Sequence, residues 1–481
     1  MRSFLFFGIV LFVWGTPIAQ TVTISEPLSL RDDSWYELLG DLKGNLLVYR
    51  DKGTEFNVFA LDRRMQRAWE KELDLDKKRP EVLSVLPARS QAYFSLIYKF
   101  KQKGDLCLKA HKYDPGANLL DSATIKNFGS LFYTPNFEVL HSENREVVLL
   151  YYTEGTNEIH ALAFHLGRME LLWETTLAPN DIILGRDFQQ ILINDAGDMF
   201  CIFNKDNRRS KQEEHRFEIF AYGPTTDHQL LRMTVGMQNH LTFDVLFTYD
   251  NLNHHLVAGG LYSQENLGRS EGFFFLTLDP KRPEQPALRF HPFDEEFMAT
   301  LEEKEEKKVK GLSEVVVQEI ILRRDGGALL ICELSHVFER RGTAMSSYYN
   351  GGGNYIRDYY YDDIFVISLH PDGAIHWKNI LHKKQYSQDD EGMFSSYFLL
   401  KTPTALRFIF NDEIKPDNTV SEYVLRGDGQ MDRNAVMSTE NQNLRLRFRD
   451  GVQVAANALV VPSERRNRLK LVKIVFEDRP R

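Results

Sequence analysis

A polar turn followed by four or more apolar residues recurs along this chain, and that recurrence constrains the fold more than any other feature. It reads GNLLVY (44–49), QAYFSLIY (91–98), REVVLLYY (145–152), GDMFCIF (197–203), HHLVAGGLY (254–262), GALLICEL (327–334), TALRFIF (404–410) and NALVVP (457–462). The starts fall about fifty residues apart, except for two longer gaps that hold insertions. Beyond a variable loop, each run is followed by a second one rich in β-branched and aromatic residues, as strands prefer. These are FNVFALD (56–62), DLCLKAHKYD (105–114), EIHALAF (158–164), RFEIFAY (216–222), GFFFLTLD (272–279), DIFVISL (363–369), SEYVL (421–425) and RLKLVKIVF (468–476). Turns such as DPGAN, HPDGA and RGDGQ come next, with the Gly, Pro, Asn and Asp that tight reversals need. A further strand lies on either side, for example RDFQQILIND (186–195) before and LLWETTL (171–177) after.

The unit is therefore a four-stranded antiparallel meander, A-B-C-D. Many short strands with almost no helix give an all-β fold. A four-stranded sheet repeated every fifty residues gives a single β-propeller. The count predicts eight blades, or seven if one degenerate unit is miscounted. The last unit stops after its C strand, and TVTISEPLSL (21–30) is a strand with no blade of its own. Pairing it beside 468–476 would complete blade 8, close the ring and cover an exposed edge. No Pro/Gly/Ser linker divides residues 20–481, which read as one domain.

Residues 1–19 read as a signal peptide: Arg2, the apolar run FLFFGIVLFVWG (4–15) and Ala19 at a cleavage point. That run is shorter than the roughly 20 apolar residues a spanning helix needs. No cysteine sits near the cleavage point to carry a lipid. The expectation is an exported protein, periplasmic or extracellular, without a transmembrane anchor. Its formal charge of −9 becomes −10 without Arg2, which opposes nucleic-acid binding. Cys107, Cys201 and Cys332 each sit in an apolar run and read as buried free thiols.

DDIFVISLHPDGAIHWKNIL (362–381) resembles the quinoprotein-like (PQQ-like) propeller repeat, in which a strand, a Gly-containing turn and a Trp follow one another. FNVFALDRRMQRAWEKEL (56–73) and IHALAFHLGRMELLWETTL (159–177) are weaker copies, with Trp69 and Trp173 in the place of Trp377. The chain also resembles exported bacterial β-propeller proteins that have no assigned activity. The resemblance implies the fold. It implies no cofactor, because quinoprotein dehydrogenases use adjacent cysteines and calcium, and no two cysteines here are adjacent. Fold likeness does not transfer chemistry.

Catalytic and metal motifs are not found. His254 and His255 are neighbours on a strand and point to opposite faces. His370 and His376 flank a turn without carboxylates. Asp358, Asp362 and Asp363 lack the EF-hand spacing. There is no G-x-S-x-G and no H-E-x-x-H. No catalytic residue, metal or cofactor is assigned.

Two insertions remain. DEEFMATLEEKEEKKVKG (294–311) reads as a mostly solvated helix, with Asp294 as N-cap and Gly311 as C′ residue. Its pairs are Glu303–Lys307 and Glu306–Lys310, and its thin apolar edge is Met298, Leu301, Val309 and Leu312. The second, at 339–362, is Tyr- and Gly-rich and reads as a B–C loop on blade 6. Tyr348, Tyr349, Tyr355, Arg357, Tyr359 and Tyr360 are its candidate partner contacts, since Tyr and Arg anchor interfaces. The functional expectation is a non-enzymatic binding or scaffold propeller, with a protein or envelope component as partner. The alternatives are a glycan-directed hydrolase or lyase, or a ligand-binding propeller active in its central channel.

Overall fold

A computed structural model describes residues 20–476, apart from 77–78, 211–213, 265–267, 303–310, 342–354, 416–417 and 441. The proposed signal peptide lies outside the described residues. Eight antiparallel sheets follow one another in chain order, each with its strands in meander order. Neighbouring A strands touch from blade 8 through blade 1 and on to blade 6, so the A strands form the inner wall of a ring. No helix among the described residues is long and apolar enough to cross a membrane.

The uninterrupted apolar runs follow from this layout. A B or C strand is covered on both faces, because each blade packs between two others. In blade 1, Leu47, Tyr49 and Val58 pack against Phe94, Leu96 and Tyr98 of blade 2. Val48 and Phe59, pointing the other way, pack against Val460 and Leu471 of blade 8. The D strand is peripheral, and Arg67–Glu72 of blade 1 is correspondingly exposed. Its Trp marks the join to the next blade: the Trp173 indole N–H donates to Gly197 O at 2.8 Å, and that of Trp377 to Gly427 O at 3.0 Å. Cys107, Cys201 and Cys332 are free and buried in blades 2, 4 and 6.

The N-terminal strand closes the ring as expected. Thr21–Ile24 pairs antiparallel with Val472–Val475, and Leu28 and Ser29 pair with Leu469 and Arg468. Between them Ser25 is buried, donates its N–H to Leu471 O and accepts the Leu471 N–H on its hydroxyl, both at 2.9 Å. Blade 8 therefore joins both ends of the chain.

Both insertions differ from expectation. The residues around 339–362 are not a simple loop. The B strand of blade 6 runs Ala328–Arg341 and its C strand Tyr355–Leu369, so both flanks of the insertion are paired strand. Alternating β-formers carry the pairing outward, with Gln385–Gln388 as a third strand. Tyr348 and Tyr349 lie outside the described residues.

The acidic insertion starts as predicted, with the Asp294 carboxylate accepting the Phe297 N–H at 2.8 Å. The helix Glu295–Leu301 is docked rather than solvated, however: Phe297, Met298, Ala299 and Leu301 are buried. Phe297 stacks on Phe293 and meets Phe365 edge-on, which fastens the helix to blade 6. Residues 303–310, with the expected ion pairs, lie outside the described residues. Gly311 (φ 137°) sits where an added Cβ would come within 2.8 Å of Ser270 O.

Candidate functional site

In a meander, B–C loops and D–A connections share one face of the ring, and A–B and C–D turns share the other. The elaborated face is the first. Its most prominent feature is the extension of blade 6, a three-stranded tongue in which Ser335–Arg341 pairs with Tyr355–Tyr361 and Gln385–Gln388 with Asp358–Tyr361.

The tongue begins at a register shift between Glu333 and Ser335, a bulge of the kind that bends a strand. A buried ion pair pins this bend, with Lys383 Nζ at 2.7 Å from Glu333 Oε1 and both side chains at 1% exposure or less. Lys383 also donates to Tyr361 O at 2.8 Å and Gln385 Oε1 at 3.1 Å. The second Glu333 oxygen accepts from Gln318 Nε2 at 3.0 Å and Ser396 Oγ at 2.7 Å. Burial lowers the Lys383 pKa, and the Glu333 carboxylate opposes that shift. Asp363 accepts the Lys383 backbone N–H at 3.0 Å and lies 3.0 Å from His382 Nδ1.

Directly paired residues share a face. One face carries His336, Phe338, Arg340, Asp358, Tyr360 and Tyr386. His336 stacks on Tyr360 with ring centres 4.4 Å apart, and Tyr360 meets Tyr386 at 5.2 Å. Arg340 Nε bonds Asp358 Oδ2 at 2.5 Å, and Tyr386 OH bonds Asp358 Oδ1 at 2.7 Å. Arg340, followed by Tyr386, holds the Asp358 carboxyl below the usual carboxylate range. Arg357 Nε donates to Glu339 on the opposite face at 3.1 Å. Phe338, 57% exposed, and Tyr386, 47% exposed, leave this face uncovered, while Val337 and Tyr355 are exposed on the opposite face.

Among the expected contacts, Tyr355 and Arg357 are exposed and Tyr360 is half-buried in the stack. Tyr359, also expected as a contact, is only 8% exposed. Val337, Phe338, Arg340 and Tyr386 are additions. SHVFERR (335–341) held the signal for the first three, because its β-formers continue the run LLICEL.

The channel beside the tongue holds a cavity of about 920 Å³, walled by blades 1, 2, 3 and 8. Its ionisable lining mixes both signs, including Glu37, Arg145, Arg447, Arg449 and Asp450. Arg447 spans Asp450 at 2.5 Å and Glu464 at 2.6 Å. Burial and then Asp450 raise the Glu37 pKa, while burial pushes Tyr36 up to about 12. Arg449 belongs both to this wall and to the tongue, donating to Tyr361 OH at 3.2 Å. On the opposite face the A–B turns are laced together. Asp195 accepts the Asn144 N–H at 2.9 Å and donates its own to Asn251 Oδ1 at 2.9 Å, and Asn251 Nδ2 reaches Glu143 at 3.0 Å.

No protein-family model matches the chain, and no curated protein matches it. Solved structures do. BamB from Moraxella catarrhalis is 12% identical, with 95% of this chain and 100% of that one covered at a TM-score of 0.38. The WD40 domain of SCAP from fission yeast is 8% identical, with 95% and 94% covered at 0.40. An oligogalacturonate lyase in complex with manganese is 10% identical, with 83% and 97% covered at 0.36. At these scores none carries an argument about what this chain does; its propeller fold rests on its own eight sheets.

Proposed function

We propose that this protein is an exported, non-enzymatic propeller that binds a protein or envelope component through the tongue of blade 6. The observation that carries this reading is an exposed aromatic surface on a rigid base: Phe338 and Tyr386 stand out from one face of strands rooted in a fully buried ion pair. Aromatic and Arg side chains with fixed positions are the groups that dominate interface energies, and binding residues held by a rigid scaffold are the usual arrangement. Arg340 is already paired with Asp358, so it presents a guanidinium plane at little further entropic cost.

The channel supports enzyme chemistry less well. Its acids stand among arginines, and Arg447 engages both Asp450 and Glu464, whereas glycoside hydrolysis needs a free carboxyl pair across a substrate.

The test is site-specific photo-crosslinking in the producing cell, with the photoreactive residue at Phe338 and, as control, at Leu252, which is 65% exposed on the turn face. A discrete adduct at position 338 that is missing at 252, and lost in a Tyr386→Ala background, is expected. Identical patterns at both positions would refute the proposal.

A further inference from the structure

Away from the tongue and channel, the B–C hairpin of blade 3 places Glu154 directly opposite Glu158. His160 lies two residues further along the C strand, on the same face as Glu158. One ligand atom from each of these residues lies within 4.8 Å of the others. His160 Nε2 is 3.3 Å from Glu154 Oε2 and 3.6 Å from Glu158 Oε2.

Three observations make this more than a pair of surface acids. Like charges directly opposite each other repel, yet neither glutamate has a Lys or Arg ion-pair partner among the described residues. His160 Nε2 is shut off from solvent and has no hydrogen-bond partner, so it lies near both carboxylates without being aligned to either. The ring is held from its other side: Nδ1 is 3.0 Å from Thr176 Oγ1, and the ring stacks on Tyr152 at 4.7 Å and 13°. With Nδ1–H donating to the threonine hydroxyl, Nε2 presents a bare lone pair toward the carboxylates. That is the arrangement of a metal-ligating histidine oriented by a second hydrogen bond.

We propose that Glu154, Glu158 and His160 form a binding site for a zinc-type divalent cation, with water completing the coordination. Zinc bonds N and O ligands at about 2.1 Å, which sets ligand atoms of a tetrahedral site roughly 3.4 Å apart. The two distances from His160 Nε2 fall on either side of that separation. A single imidazole with two carboxylates suits zinc better than calcium or magnesium, which take oxygen ligands. The cation would thus hold the two strands of the hairpin together at its tip, on the elaborated face.

The test uses the full chain stripped with EDTA and titrated with zinc chloride by calorimetry, with melting followed in parallel. One zinc per chain and a raised melting temperature are expected. His160→Ala should abolish both signals. Thr176→Val, which keeps the side chain's shape but removes the hydroxyl, should weaken affinity about 10-fold or more. Glu154→Gln/Glu158→Gln should also lose the zinc response while melting no lower than the parent without zinc, since it removes a repulsion; that separates lost binding from lost folding. An absence of zinc binding by the parent, or an undiminished zinc response in both His160→Ala and the double Gln variant, overturns the proposal.

Discussion

Replacing Lys383 by Met probes the root of the tongue. Met fills a similar volume but carries no charge, so Glu333, at 0% exposure, is left as an uncompensated buried carboxylate. Gln318 and Ser396 still donate to it, but the Lys383 Nζ contact at 2.7 Å is gone. Removing one partner of a buried pair costs about 3–5 kcal/mol. Unfolding entropy near the transition is about 2.1 cal/mol/K per residue, so a chain of roughly 450 folded residues has about 1 kcal/mol/K in total. The expected fall in melting temperature by differential scanning calorimetry is therefore about 3–5 °C. The double variant Glu333→Gln/Lys383→Met should recover most of it. Gln at 333 still accepts from the same two donors, and an ion pair replaced as a unit is often near neutral. Hydrogen exchange at 355–361 should nevertheless stay faster in the double variant, because Lys383 no longer holds Tyr361 O. A shift under about 1 °C in the single variant, or no recovery in the double, would refute a stabilising role for the pair.

Starting the chain at residue 32 removes the strands that pair with 468–475 and exposes the closing edge; calorimetry should show a larger drop than for Lys383→Met. Acid should destabilise the fold through His215, which joins blades 4 and 5 from Lys205 O at 3.0 Å to Thr242 Oγ1 at 2.7 Å. Burial lowers its pKa from 6.5 to about 4, so only the unfolded chain takes up the proton between those values. Stability is full above the unfolded pKa and falls as pH drops toward 4, by about 3 kcal/mol for this one group. Denaturant midpoints measured from pH 7 to pH 4 should fall less steeply in His215→Gln.

The blades were legible because their B and C strands are buried on both faces. A run such as REVVLLYY (145–152) suits a strand packed between two other blades, and the number of such runs equals the number of sheets. Ring closure was legible from a missing strand at one end and a spare one at the other. The tongue was harder to see, because Gly and Tyr in the insertion read as loop chemistry, while the strand pairing of Tyr355–Tyr361 is a property of partners at 335–341 and 385–388. The docking of the helix at 295–301 is hidden in the sequence for a related reason. Its Glu- and Lys-rich text drew attention from Phe297, whose burial depends on Phe293 and Phe365. The glutamates and histidine of blade 3 carry no motif spacing, and their convergence comes from cross-strand register.

Tyr361 relates the tongue to the channel. Its hydroxyl accepts from Arg449 in the channel wall, its carbonyl accepts from buried Lys383, and its ring lies where a Cβ on Gly392 would come within 2.8 Å. Gly392 has φ 65°, so that close approach uses a backbone conformation that favours glycine. The tongue is thus fixed at its base on one side by a charge pair and on another by the channel rim. Whatever docks on Phe338 and Tyr386 therefore meets strands whose position relative to the ring is already set. Preorganisation of this kind lowers the cost of binding. It also places an occupant of the tongue near the cavity mouth, on the face that carries the B–C loops and the docked helix.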